Sequence, residues 1–264
     1  MNSAPVMVDS PSWSYRDGLH AERIFAHGTN RCVIRAAYDH EVGYWRLQPG
    51  LAASAEAQLA SFAIAELGED TPRTIRQNLA RLDGLNRLGA GCYWEALGTA
   101  VIRQVIRAGQ ARRVWQRLAA ALAPPGGAAG GFPTVERFLA AGDAELADAG
   151  LGFKARTLRT VAEACLAEPR YWDRLDPVQL HDAWLALPGI GPWSAGAAIA
   201  DLRHAWQLYP HDDLAVRTWA ARAFPELAIP ADARSFLRCW TNWGGEAIGT
   251  LTLLTLGWSA TCPQ

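Results

Sequence analysis

Apolar positions change their period along the chain. Between residues 13 and 48, runs with partial alternation and β-branched or aromatic content (23–27, 31–38 and 42–47) are separated by Gly28-Thr29-Asn30 and Asp39-His40-Glu41. Alternation bounded by turn residues predicts a small antiparallel sheet. Residues 52–67 and 71–82 then read as helices, the second with Thr71-Pro72 as cap and first position. From Tyr93 onward the period is helical, and Trp94, Leu97, Val101, Ile102, Val105 and Ile106 build one apolar face. The Pro/Gly-rich stretch 124–131 cannot hold a helix and reads as a loop between helices. The pattern predicts an α+β chain that is predominantly α, divided into an N-terminal sheet unit with flanking helices (1–85) and a helical region (86–264).

With half of its 264 residues apolar, the chain can bury a substantial core. No stretch approaches the ~20 apolar residues of a membrane span, and a cytoplasmic, nucleoid-associated enzyme is the expectation. Cys32, Cys92, Cys165, Cys239 and Cys262 are scattered and odd in number, which speaks against a disulfide framework, a zinc site or an iron–sulfur cluster. The net charge of −1 gives no global signal for a polyanion, so any nucleic-acid footprint must be local. Arg103, Arg107, Arg112, Arg113 and Arg117 read first as a solvated helix face and second as a phosphate-contacting one. Lys154, the sole lysine, and Arg156 open a helix after Gly150-Leu-Gly152, where cations oppose the helix dipole unless an anion sits nearby.

The densest signal is Leu187-Pro188-Gly189-Ile190-Gly191-Pro192-Trp193 between two helical segments, a hairpin unit spanning 180–203. Gly189 and Gly191 permit positive φ and leave the backbone unshielded, while Pro192 suits a first helical position. The amides of Gly189, Ile190, Gly191, Trp193 and Ser194 then form a helix N-terminus suited to a phosphate, gripping DNA without reading sequence. The alternative is a plain helical hairpin whose glycines serve only the turn.

With residues 132–134 (Phe-Pro-Thr), 151–156 (Leu-Gly-Phe-Lys-Ala-Arg), the hairpin and 211–217 (His-Asp-Asp-Leu-Ala-Val-Arg) in this order, the chain resembles the helix-hairpin-helix DNA glycosylase superfamily over roughly residues 93–258. The resemblance implies helical glycosylase domains behind the N-terminal sheet, double-stranded DNA with a damaged base as partner, and a monomer. It implies Asp213 as the catalytic carboxylate, with Asp212 the second choice. A carboxylate there would stabilise positive charge on the sugar and orient or deprotonate water. The competing reading makes Asp212-Asp213 an N-cap for the helix at 214–224. Phosphate contacts are expected from Lys154, Arg156 and Arg103.

Relatives that also cut the strand carry a Schiff-base lysine two residues after the last hairpin glycine; here that position is Trp193, which implies a monofunctional enzyme. A tryptophan there resembles the 3-methyladenine glycosylase II branch, which removes alkylated, often cationic bases that an indole face attracts; Trp193 equally reads as a packing aromatic. Ala197 and the stretch 250–255 depart from that branch and imply a reshaped pocket, as does Ile102-Arg103-Gln104-Val105 in place of the usual segment before the DNA-facing helix. Leu85 or Leu88, in an apolar loop over 84–89, is expected as the wedge that fills the gap left by a flipped base, or as simple packing. Glu246 is expected either as a second pocket acid or as a helix N-terminal carboxylate. The resemblance further implies a sodium or potassium ion on the carbonyls of Leu185, Leu187 and Ile190, and no iron–sulfur cluster. Two other readings stay open: a non-catalytic helix-hairpin-helix DNA-binding protein, and a glycosylase for an oxidised or bulky lesion.

Overall fold

Side chains alternate between inside and outside along the first long strands. In β2 (His20–His27), Ala21, Arg23 and Phe25 are buried; in β3 (Asn30–Asp39), Ile34 and Ala36 are, while Val33 and Arg35 face water. That period of two buries one face of an antiparallel sheet. Its order is β1 (Ser14–Tyr15), β2, β3, β4 (Tyr44–Leu47), with Ile24 opposite Val33 and Phe25 opposite Cys32. The inner face closes over its own cluster of Val6, Val8, Trp13, Phe25, Ile34 and Trp45. This computed structural model describes residues 5–27, 30–123 and 130–258. The Gly28-Thr29 turn, the loop positions 124–129 and Cys262 lie outside them.

Two expectations between residues 52 and 89 are corrected. Within 52–67 only α1 (Ala53–Glu56) is an α-helix; Leu59–Ala63 is a strand, β5, pairing with β6 (Gly84–Leu88) from Leu59–Leu88 to Ala63–Gly84. The supposed apolar loop is therefore a strand, held on its other side by Asn86 N–H to Pro5 O (2.7 Å) and Met7 N–H to Asn86 O (2.9 Å). Alanine-rich local propensity lost to pairing and burial. Leu85 and Leu88 are 2% and 4% exposed, and Leu85 packs against Gly257, so neither can act as a wedge. The second helix is α2 (Arg73–Leu79), and its Ile75 and Leu79 enter the helical core rather than the core of the sheet.

The helical region is arranged around two buried helices. α3 (Tyr93–Arg103) is enclosed from Trp94 to Ile102, and α13 (Ile248–Trp258) from Ile248 to Gly257. An uninterrupted apolar stretch has no solvent face to offer and must sit inside. Around them lie α4 (Ala108–Ala121), α5 (Val135–Leu139), α6 (Asp143–Asp148), α7 (Ala155–Ala167), α8 (Pro169–Trp172), α9 (Pro177–Leu185), α10 (Pro192–Arg203), α11 (Leu214–Ala223) and α12 (Ala233–Gly244). Trp184 packs edge-on against Tyr93 and Trp172, fixing α9 to α3. No helix among the described residues is long and apolar enough to cross a membrane.

The sheet is fastened to the helices by charge. Arg23, on the inner face of β2, donates to Glu95 Oε1 (2.9 Å), Leu88 O (3.0 Å) and Gly89 O (2.9 Å); Glu95 Oε2 accepts Gly91 N–H (2.9 Å). Both side chains are almost fully enclosed, at 3% and 7% exposure. A Cβ on Gly91 would fall 1.8 Å from Ala26 O, so only glycine lets the backbones approach here. Leaving a buried charge unpaired costs about 3–5 kcal/mol, and replacing the whole pair by apolar groups is often neutral. Denaturant unfolding should thus show Glu95→Ala losing about that much stability, with Arg23→Met/Glu95→Met recovering most of the loss.

Candidate functional site

The hairpin forms where its sequence placed it. Asp176 caps α9 by accepting from Val178 and Gln179 N–H, and the Gln179 side chain bonds back to Asp176 N–H. Gly189 takes φ +87°, and Pro192 is the first residue of α10. A Cβ on Gly189 would lie 2.5 Å from Thr157 Oγ1, which presses the start of α7 against the hairpin. Not every amide of the row is free: Ile190 N–H donates to Leu187 O (3.0 Å). Ser194 is buried, its hydroxyl bonded to Gln104 Nε2, which also reaches Gly189 O (3.2 Å); the hydroxyl therefore does not face a ligand. The carbonyls of Leu185, Leu187 and Ile190 end α9 and its turn. Neutral oxygens at the negative end of a helix dipole suit a monovalent cation as donors.

Beside α10 a cleft of about 680 Å³ opens, lined by Arg103, Ile106 and Ala111 on one side and by Trp193, Asp213 and Trp219 on the other. Asp213 occupies the N-cap position of α11, yet its side chain accepts no capping hydrogen bond. Its Oδ2 lies 3.4 Å from the Tyr209 hydroxyl instead. The carboxylate is half-buried and lines the cleft. Asp212 is engaged through its backbone, its carbonyl accepting from Arg217 Nε (3.0 Å).

Two glycines hold the segment that carries Asp213. A Cβ on Gly196 of α10 would meet Leu208 O at 2.4 Å, and one on Gly249 of α13 would meet the Trp206 backbone at 2.8 Å. The segment is thereby clamped between two helices, and Trp206 stacks on Tyr209 at 4.9 Å. Burial holds the Tyr209 phenol far above its ordinary pKa, so it stays neutral beside the carboxylate. His211 closes the clamp. Its Nε2 faces Gln207 O (3.3 Å), which can only accept, so the proton sits there and Nδ1 accepts the Thr252 hydroxyl (2.8 Å); Thr252 in turn accepts Trp240 Nε1 (2.9 Å).

Of the four other expected site residues, Lys154 and Glu246 do not line the cleft. Lys154 is 3% exposed and its Nζ donates to Val101 O (2.8 Å) and Gln104 O (2.7 Å), capping the end of α3 rather than meeting phosphate. Desolvation lowers its pKa to about 8. Glu246 is exposed in a separate hollow with Glu66 and Asp70 and does not reach Asp213. Arg103 is turned into the cleft, its guanidinium 5.5 Å over the Trp193 ring and its NH1 3.6 Å from Asp201. Arg156 is exposed on the first turn of α7, where it lines a hollow with Asp143 and Glu163, and forms no ion pair among the described residues.

The structure also adds residues that the sequence pattern concealed. Val105, expected on the buried face of α3, lies past the helix end at φ +61°, fully exposed at the rim of the cleft. A β-branched residue there is strained. Phe153, 74% exposed, sits over Lys154 Nζ on the adjoining loop, so the two apolar tips flank one buried ammonium. Tyr209 and Trp219 carry no motif and were found only by position. Among the described residues, no group of three or more His, Cys, Asp and Glu side chains gathers to hold a metal ion.

Burial lowers the pKa of His211 below its ordinary 6.5. The unfolded chain then takes up a proton first as pH falls, so stability should decline below about pH 6.5. His211→Gln should flatten that decline while lowering stability at neutral pH, as read from thermal melts between pH 8 and 5.

The chain matches no known protein-family model and no curated protein in sequence. Among solved structures it is similar to the 8-oxoguanine glycosylase/lyase of Clostridium acetobutylicum in its apo form, with TM-score 0.67, 13% identity, and 95% of this chain and 89% of that chain covered. It is similar to the 3-methyladenine DNA-glycosylase of Archaeoglobus fulgidus (TM-score 0.67, 18% identity, 97% and 96% covered). A third likeness is MBOgg1 in complex with a low-affinity DNA ligand (TM-score 0.69, 12% identity, 97% and 93% covered). Over nearly its whole length the chain has the fold of these DNA glycosylases.

Proposed function

We propose that this protein is a monofunctional DNA glycosylase that flips a damaged base out of duplex DNA and hydrolyses its N-glycosidic bond. The observation that carries the reading is the Asp213 carboxylate, at a helix start but without a cap bond, facing a cleft wide enough for a base beside the Gly189–Gly191 hairpin. The backbone amides of the hairpin and Arg156 would hold phosphates, Val105 would enter the stack where the base has left, and Phe153 would press on the duplex nearby. In the cleft the C1′–N bond breaks with its electrons going to the base. Asp213 stabilises the positive sugar and takes a proton from the water that adds to C1′. Extrusion itself costs a few kcal/mol, least for a damaged pair.

The monofunctional reading is supported by Lys154, the only lysine of the sequence, whose Nζ is spent on two carbonyls. A sodium or potassium ion on the Leu185, Leu187 and Ile190 carbonyls would add positive charge behind the hairpin amides. Trp193 in the cleft supports an alkylated base as substrate. The guanidinium over that same ring supports a second reading, an uncharged lesion.

The test is base release from duplexes carrying methylated, deaminated or oxidised bases, with alkali used to reveal abasic sites. Asp213→Asn should lower release at least about 100-fold while binding is retained, since one preorganised charge is worth that much. Unchanged release, or strand cleavage without alkali, would defeat the reading. Val105→Gly should raise stability by about 1 kcal/mol through relief of the left-handed backbone and yet slow excision from paired sites more than from mismatched ones. Equal slowing at both would remove Val105 from the wedge role.

A further inference from the structure

We infer that Arg103 makes the cleft selective for an uncharged oxopurine, to whose O6/N7 edge its guanidinium donates, and hostile to cationic methylated purines. The inference rests on the glycosylase reading and names the substrate class of that same site.

The placement of Arg103 is the first argument. It is the last residue of α3, its side chain is 21% exposed, and it lines the cleft together with Asp213 and Trp193. Its guanidinium lies 5.5 Å over the Trp193 ring, so the indole face that would attract a cationic base already holds a cation. A second positive charge entering there meets repulsion in a partly desolvated site.

The cation is also tethered. NH1 of Arg103 approaches Asp201 Oδ2 at 3.6 Å, and Asp201 Oδ1 is held by Arg87 through Nε (3.0 Å) and NH2 (2.7 Å). Arg87 is 3% exposed and bonded on its other side to Asp9 Oδ1 (2.6 Å). Asp201 has thus committed one oxygen to Arg87 and anchors Arg103 only loosely with the other, leaving guanidinium N–H groups for a ligand. An arginine fork offered to O6 and N7 is the usual match for a guanine-like edge.

The chemistry agrees with the geometry. A cationic base departs neutral and needs no help, whereas a neutral purine departs with the electron pair of the broken C1′–N9 bond. That negative charge spreads to N7 and O6, where the guanidinium meets it; water supplies hydroxide to C1′, and its proton passes to Asp213 and then to the purine. Asp213 and Arg103 would act on the two fragments of one bond.

The experiment uses the full chain and duplexes with a single hypoxanthine or a single 7-methylguanine, each rate divided by its spontaneous rate. The intact protein should enhance hypoxanthine release at least tenfold more than 7-methylguanine release. Arg103→Met should reverse the order, and Arg103→Lys, keeping charge without the fork, should fall between. Duplex affinity and melting temperature of both variants report whether they are folded. A greater enhancement for 7-methylguanine in the intact protein, or equal losses on both bases in a folded Arg103→Met, overturns the selectivity and leaves the glycosylase standing. Release of neither base overturns both.

Discussion

A buried guanidinium has to be neutralised, and in this chain the side chain of Arg87 sets the terms. It projects from β6 into the seam between sheet and helices, with Asp9 on one side, Asp201 on the other and the Trp206 ring 5.0 Å away. An isolated charge there would be intolerable, so two carboxylates from distant parts of the chain are drawn in. Around this compensated charge three elements acquire fixed positions: the N-terminal segment through Asp9, α10 through Asp201, and the segment at Trp206 through its ring. The last two carry the hairpin and lead into Asp213. The geometry of the cleft is in this sense a consequence of how one buried charge is satisfied.

The same logic accounts for what could be read from the sequence. The hairpin was legible because its signals are local: glycines at a turn, proline at a helix start, amphipathic flanks. Asp213 was legible as a helix-start carboxylate, but whether it capped the helix or faced a cleft depended on a side-chain rotation that no spacing encodes. Leu85 and Leu88 looked like an exposed loop because their strand partner, β5, was hidden in an alanine-rich stretch with helical propensity. Lys154 looked like a phosphate ligand because lysines are rarely buried; the carbonyls that bury it belong to α3, about fifty positions earlier. Glu246 carried no signal that could separate one hollow from another.

Val105 shows how these non-local effects reach the cleft rim. Lys154 Nζ binds the carbonyls of Val101 and Gln104 at the end of α3, where the Gln104 side chain is also tied to Gly189 O and Ser194. With those groups held, the chain turns away through a left-handed residue, and Val105 is carried out of the apolar face its spacing assigned it. Strain of this kind persists only where surroundings over-determine the backbone. The hairpin and the lysine supply that constraint from two directions.

Arg103 links the buried charge to the cleft. Its partner Asp201 is shared with Arg87, to which Asp201 is bonded across 114 positions of sequence, so nothing near Arg103 in the sequence announces where the guanidinium points. Read locally it is one more arginine on a helix bound for phosphate. Placed by the buried charge, it lies over the indole that suggested a cationic substrate, and the two inferences oppose each other on electrostatic grounds. A tryptophan position taken alone is therefore weak evidence for base preference in this fold. What decides the charge of an acceptable base is which group already occupies the face of that ring.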